Sequence, residues 1–178
     1  MNKIELLNQL LQLTVWLPIK GYENYEVSIC GQVRNTKTKR ILKLFVDTKG
    51  YYHVTLCRNC KPKTHRIHRL VANAFIPKLD ITKTYMDHID NNRLNNTVSN
   101  LRWCTPQQNN FNSQLSSRNT STIKGVSFNK NKNKWECYIC FNNKKIHLGF
   151  FDKIDDAKLA RQTKAKELYG KYLNDCEK

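Results

Sequence analysis

Tyr85-Met86-Asp87-His88-Ile89-Asp90 opens a stretch that runs through an Asn-rich loop and closes on Asn100-Leu101-Arg102-Trp103-Cys104-Thr105-Pro106-Gln107-Gln108-Asn109. Its pattern reads as strand, long loop, short strand, helix. Thr105 can cap the final helix and Pro106 suits its first position, which places Asn109 about one turn in. Cleaving a phosphodiester takes a base for water, a hard cation to offset phosphate charge, and a group that fixes the tautomer of the base. Asp87 offers a carboxylate and Asn109 an amide carbonyl, both oxygen donors suited to magnesium or manganese. His88 is the base candidate, because the unperturbed pKa of a histidine lies near neutrality.

The chain around this segment divides by charge and pattern. Its 178 residues hold 31 Lys and Arg against 14 Asp and Glu, a formal charge of +17, so its field attracts polyanions and nucleic acid is the leading partner class. Ile4 to Leu13 is too short to span a bilayer and reads as a terminal helix; no lipidation motif, secretory leader or membrane role is expected. From Gly31 to Arg69 there are eleven Lys or Arg and one acid, Asp47, spread over strand-like runs such as Arg40 to Leu44 and Tyr51 to Leu56. Ile67, Leu70, Val71 and Ala74 then recur at helical spacing, with Pro77 as a stop. Residues 112–122, rich in Ser, Asn and Thr, read as a linker. Beyond it, Gly125 to Asn129, Trp135 to Phe141 and Lys144 to Phe151 read as strands, the last two joined by a tight Asn142-Asn143 turn. A helix should follow, capped by Asp152, carried by Ile154, Ala157, Ala160 or Arg161, Lys164 and Leu168, and stopped at Gly170.

Four stretches resemble the HNH homing endonucleases of phages, giant viruses and mobile introns: His68-Arg69-Leu70-Val71-Ala72-Asn73-Ala74-Phe75-Ile76-Pro77, Asp87-His88-Ile89-Asp90, Asn100-Leu101-Arg102-Trp103 and Thr105-Pro106-Gln107-Gln108-Asn109. The resemblance implies that Asp87 and Asn109 are metal ligands, His88 the general base, and Asn100 the residue that orients it. Asn stands where the third letter of the motif is His, and Asn110 beside it leaves a one-position ambiguity. Asn91 replaces a frequent Gly and tolerates the same left-handed turn. Trp16-Leu17-Pro18-Ile19 with Gly21-Tyr22-Glu23-Asn24-Tyr25-Glu26-Val27-Ser28 resembles a NUMOD module. Gly125-Val126, Trp135, Leu148-Gly149-Phe150-Phe151 and the Ala157 to Gly170 helix resemble an Apetala-type DNA-binding domain, whose sheet enters the major groove. The implied fold class is α+β: a NUMOD-like β-rich module (15–66), a ββα-metal HNH nuclease (67–114), a linker (115–122), and a three-stranded sheet with one helix (123–175).

Arg93, Arg102, Lys124, Lys130, Lys132, Lys134, Lys144 and Lys145 are the candidate DNA contacts. The lysines could form a solvated face, but residues 120–150 oppose them only with Glu136. His65 and His68 suit packing or phosphate contact. Seven cysteines are an odd number, so reduced thiols are expected; Cys57/Cys60 and Cys137/Cys140 have zinc-knuckle spacing, but strand residues three apart face opposite ways, and a structural zinc is not expected. The function this implies is site-guided cleavage of double-stranded DNA with Mg2+ or Mn2+, by a monomer or weak dimer inside a host cell, in its cytoplasm or in the nucleus of a eukaryote. The alternative is a DNA-binding regulator that kept the HNH scaffold without activity.

Overall fold

The computed structural model describes residues 15–117 and 119–177. The helix expected over Ile4 to Leu13 lies outside them. The chain forms two compact units that divide between Cys104 and Thr105, inside the segment expected to be a single nuclease module.

The first unit begins with a three-stranded antiparallel sheet in the order β1 (Trp16–Ile19), β2 (Tyr22–Ser28), β3 (Val33–Asn35). A second antiparallel sheet has the order β4 (Phe45–Val46), β5 (Tyr52–Arg58), β6 (Lys61–Arg66). The strand expected over Arg40 to Leu44 is not formed. Ile41 makes only an isolated bridge to Arg34, and Leu42 and Leu44 are tied down by packing on the core. α1 (Ile67–Phe75) buries Ile67, Leu70 and Val71 against Ile19, Val27, Val33, Val54 and Leu56. It ends where the Ile76 amide caps the Ala72 carbonyl, just before Pro77. This core supports the β7 (Tyr85–His88) and β8 (Leu101–Cys104) hairpin, with Leu101 sharing the core and Asp87 opposite Arg102.

The second unit starts with α2 (Pro106–Phe111). Thr105 and Gln108 close a reciprocal capping box, the Gln108 amide donating to Thr105 Oγ1 at 3.2 Å and the Thr105 amide to Gln108 Oε1 at 3.0 Å. β9 (Val126–Asn129), β10 (Lys134–Phe141) and β11 (Lys144–Phe151) form an antiparallel sheet with β10 central. The turn between the last two uses Asn142 and Asn143 at φ 50° and 59°, as the dipeptide predicts. α3 (Ile154–Tyr169) packs on one face through Ala157 against Val126 and Cys137. Its buried stripe is Ala157, Arg161, Ala165 and Tyr169, so that Arg161 and not Ala160 faces inward, and Ala165 and Tyr169 take the places expected of Lys164 and Leu168. Asp152 is not its cap; the N-cap is Lys153 without a side-chain bond, and Asp152 pairs with Lys134 at 3.2 Å. Gly170 ends the helix as expected, at φ 51°.

The expected linker is tied into this unit at its two ends. Ser121 is buried and donates to the Val126 carbonyl at 2.6 Å, while Asn174 donates to the Asn112 carbonyl at 2.7 Å. Gly125, at φ 69°, lets the chain pass close to β10, since a Cβ there would run into the Tyr138 carbonyl oxygen. The observed class is mixed α+β with several small antiparallel sheets. Among the described residues no helix is long and apolar enough to cross a membrane.

Candidate active site

Asp87 and His88 are the last two residues of β7, and both side chains are buried. The chain then leaves the sheet through an Asn-rich loop whose side chains bond to the loop itself. Asn91 takes φ 60°, the left-handed turn expected of it, and its amide donates to the His88 carbonyl at 2.9 Å. The Asp90 carboxylate accepts from the Asn92 amide at 2.7 Å, Asn95 Nδ2 at 2.7 Å and Asn100 Nδ2 at 2.8 Å. Burial alone would raise the Asp90 pKa, but these donors outweigh it and hold the carboxyl below its ordinary value.

Asn100 is drawn into the same network. Its Oδ1 accepts from the Asp90 amide at 3.0 Å, its Nδ2 also donates to the Asn95 carbonyl at 2.8 Å, and its own carbonyl receives the Ile89 amide. It therefore closes the loop that carries His88. The side-chain amide that meets the imidazole belongs to Asn96, whose Oδ1 lies 3.2 Å from His88 Nε2. Asn96 Nδ2 is committed to the Leu94 carbonyl at 3.1 Å, which orients its oxygen toward the ring. That assignment makes Nε2–H the donor and leaves the neutral ring's lone pair on Nδ1. Burial pushes the His88 pKa below its ordinary value, against the opposing pull of the Asn96 bond and of Asp90 and Asp87. A neutral imidazole is the form that accepts a proton.

Sequence reasoning missed Asn96, because nothing local separates it from its asparagine neighbours. Its place depends on Gly31, in the turn between β2 and β3. A Cβ at Gly31 would meet Asn96 Cβ at 3.0 Å and Ile67 Cγ2 at 2.9 Å. His68 is also at the site, its ring 5.2 Å from that of His88 and its Nδ1 buried without a hydrogen-bond partner. Burial drives its pKa down to about 3.

The expected metal and DNA residues fall in several places. Asp87 Oδ2 accepts from Arg102 Nε at 2.8 Å and Nη2 at 2.7 Å, so Arg102 is engaged on the candidate metal ligand and is not offered outward as a DNA contact. Asn109 lies on α2, in the second unit, its amide bonded to the Thr105 carbonyl one turn back. An Asp carboxylate and an Asn carbonyl fit a hard divalent ion. Among the described residues no group of three or more His, Cys, Asp or Glu could hold a metal by itself. Cys137 is buried on β10 while Cys140 is exposed.

Lys124 corrects an expectation. Its ammonium donates to the Phe111 and Ser113 carbonyls and pairs with buried Glu177 at 3.0 Å. It is a structural cation of the second unit, which a lysine count cannot distinguish from a surface one. Lys130, Lys132, Lys144 and Lys145 are exposed, Lys132 standing 3.8 Å over the Phe150 ring and Lys145 3.9 Å over Tyr138. Lys134 is half-buried against Asp152.

Two family models match the chain, and the second along it runs across the boundary between the two units. Residues 65–111 match the family model for HNH endonuclease, and residues 15–57 match that for the NUMOD4 motif. DNA endonuclease I-HmuI of Bacillus phage SP01 is 38% identical over 120 residues, covering 67% of this chain and 68% of that protein. Protein 3.8 of Escherichia phage T7 is 33% identical over 101 residues, covering 57% of this chain and 79% of its own length. An uncharacterized HNH endonuclease, L245, of Acanthamoeba polyphaga mimivirus is 33% identical over 158 residues, or 88% of this chain, which spans only 46% of that relative. A solved structure described as DNA binding and cleavage by I-HmuI is 40% identical, covering 52% of this chain and 53% of that one, at a TM-score of 0.48. The chain belongs to the HNH endonuclease family, a class of phosphodiester hydrolases, and carries the NUMOD4 motif ahead of its HNH segment.

Proposed function

We propose that the chain is a site-guided DNA endonuclease of the homing type, with a ββα-metal centre. The observation that carries this reading is a buried His88 held by Asn96 beside the Asp87 carboxylate, within the segment that matches the HNH family. His88 Nδ1 takes a proton from water as the water oxygen attacks phosphorus. The bond from phosphorus to the 3′ oxygen breaks, leaving a 5′-phosphate and a 3′-hydroxyl that takes its proton from solvent. Asp87 and the Asn109 carbonyl are the residues suited to hold Mg2+ or Mn2+, which when bound supplies positive charge at the phosphate and the departing oxygen. Arg102 holds the Asp87 carboxylate in one orientation. Asn100 locks the loop so that His88 stays at the strand end.

The residues after the 112–122 segment form an Apetala-type DNA reader in this proposal. Support comes from a three-stranded sheet with one helix behind it and Lys132 and Lys145 extended over aromatic rings. The NUMOD-like β-rich module, residues 15–66, supplies a second DNA-binding module, supported by the exposed Lys61 and Lys63 of β6.

The test is cleavage of supercoiled plasmid by the full chain. Nicked or linear product should form with magnesium or manganese and stop in chelator, while unfolding of the protein is little changed. Cutting that continues in chelator refutes the metal assignment, and duplex DNA bound but never cut with either ion favours the inactive regulator.

A further inference from the structure

Beside His88 lies a group of residues that the mechanism above does not use. The Tyr51 ring is 6.0 Å from the His88 ring and 5.1 Å from that of His68. Two guanidinium groups stand over Tyr51, Arg66 at 4.8 Å and Arg93 at 4.9 Å from the ring centroid. They come from distant parts of the chain, Arg66 from the end of β6 and Arg93 from the Asn-rich loop. Sharing one ring, the two cations are no more than about 10 Å apart, within a Debye length at moderate salt, so they repel.

The protein meets this repulsion only in part. Asp47 Oδ2 is 3.7 Å from Arg66 but is shared with His53 at 2.9 Å. Arg93 Nη1 donates to the neutral Lys49 carbonyl at 2.7 Å. Asp47 Oδ1 in turn accepts the amides of Lys49 and Tyr51 at 2.9 Å, which fixes the turn that carries both the ring and that carbonyl. One acid thus organises an aromatic platform and two incompletely neutralised arginines next to the candidate base. Fork-shaped guanidinium groups match the oxygens of a phosphodiester.

We infer that Arg66 and Arg93, held on Tyr51, form an anion clamp that grips the phosphates of the DNA strand flanking the bond to be cut and so sets that bond against His88. The inference rests on the endonuclease reading for its substrate. Arg66 and Arg93 are then binding residues, and Tyr51 and Asp47 are positioning residues that hold them.

The experiment uses the full chain with Arg66→Gln, Arg93→Gln, the double variant, Tyr51→Phe and Tyr51→Leu, each checked for unchanged thermal unfolding. Arg93→Gln alters an exposed loop side chain, so it carries the test if Arg66→Gln fails to fold. Binding to a fluorescent duplex is measured over a salt series, and cleavage of an intact supercoiled plasmid under single turnover at saturating protein. Each lost phosphate contact should reduce the logarithmic salt slope by about 0.9. The saturated rate should fall about tenfold to a hundredfold in the double variant, the loss expected for a charged hydrogen bond. Tyr51→Phe should behave as wild type, and Tyr51→Leu should lose rate. Unchanged salt slopes overturn the clamp whether or not wild type cuts. A reduced slope with an unchanged saturated rate also overturns it, because the arginines would then hold DNA away from the cut. Failure of the endonuclease reading looks different: wild type itself leaves the plasmid intact with either ion.

Discussion

His88 is held by hydrogen bonds made almost entirely within its own loop, from Asp90 to Asn100, whereas Asn109 rides on a six-residue helix whose position depends on Phe111 stacking against Tyr169 at 3.8 Å. The first arrangement is local and polar. The second is non-local, because a helix that short has little stability alone and needs tertiary packing. The two proposed metal ligands therefore answer to different parts of the molecule: Asp87 to the β7–β8 hairpin and Arg102, Asn109 to the aromatic packing of the second unit. Removing the chain after Ser117 would leave the base in its loop and strip the packing from the helix that bears Asn109.

The largest expected effect sharpens that contrast at the buried ion cluster of the second unit. Glu177 meets Arg161 at 2.6 Å, a charge contact rather than an aligned hydrogen bond, and accepts from Lys124 at 3.0 Å. Glu177→Ala leaves a buried arginine without its partner and should cost about 3 to 5 kcal/mol of stability. Urea unfolding followed by the Trp135 signal would measure it. Cleavage should fall with the loss of order around α2, and a variant as stable as wild type would show that the cluster does not hold this unit together.

In the first unit, His68 gives a pH-dependent counterpart. Its pKa is about 3 in the folded chain against 6.5 for the ordinary group, so the unfolded state takes up the proton first as pH falls. The stability it contributes is complete above pH 6.5 and is lost as pH drops toward 3. Each pKa unit corresponds to about 1.4 kcal/mol, so acidifying from 6.5 to 4.5 should cost about 2 to 3 kcal/mol through this residue. His68→Phe keeps a ring and removes the titration. It should flatten the acid branch of stability measured in urea, and an identical acid loss in both proteins would contradict the assignment.

A smaller effect separates two asparagines of one loop. Asn96→Ala removes the acceptor that fixes the His88 tautomer, and should lower the single-turnover rate about tenfold and move its acid limb, with DNA affinity little changed. Asn96→Asp keeps an oxygen on Nε2 and should restore the rate in part. If Asn96→Ala left both rate and pH profile as they were, the tautomer would be set by another group.

These contrasts explain what could be read from the sequence. Thr105, Pro106, Asn91 and the Asn142-Asn143 turn act through their own backbone, so local rules placed them correctly. Asp87 and His88 stood out because a carboxylate beside a histidine at a strand end is a chemical pattern. Asn96 was hidden among its asparagine neighbours, Lys124 was not legible as a structural cation because its partner Glu177 is remote in sequence, and the choice between Ala160 and Arg161 depends on Glu177 and the Tyr138 carbonyl, remote as well. The division at Cys104 was hidden for the same reason: polar residues 112–122 look like a free linker, yet Ser121 and Asn112 are buried by contacts from Val126 and Asn174.

The central claim is that His88 is the base, and its most direct test is the single-turnover rate of plasmid cleavage by His88→Ala at saturating protein with magnesium, beside duplex affinity and thermal unfolding. The account predicts a rate lower by about a hundredfold to ten-thousandfold, with affinity and folding close to wild type. A variant that binds, folds and cuts at the wild-type rate would contradict it.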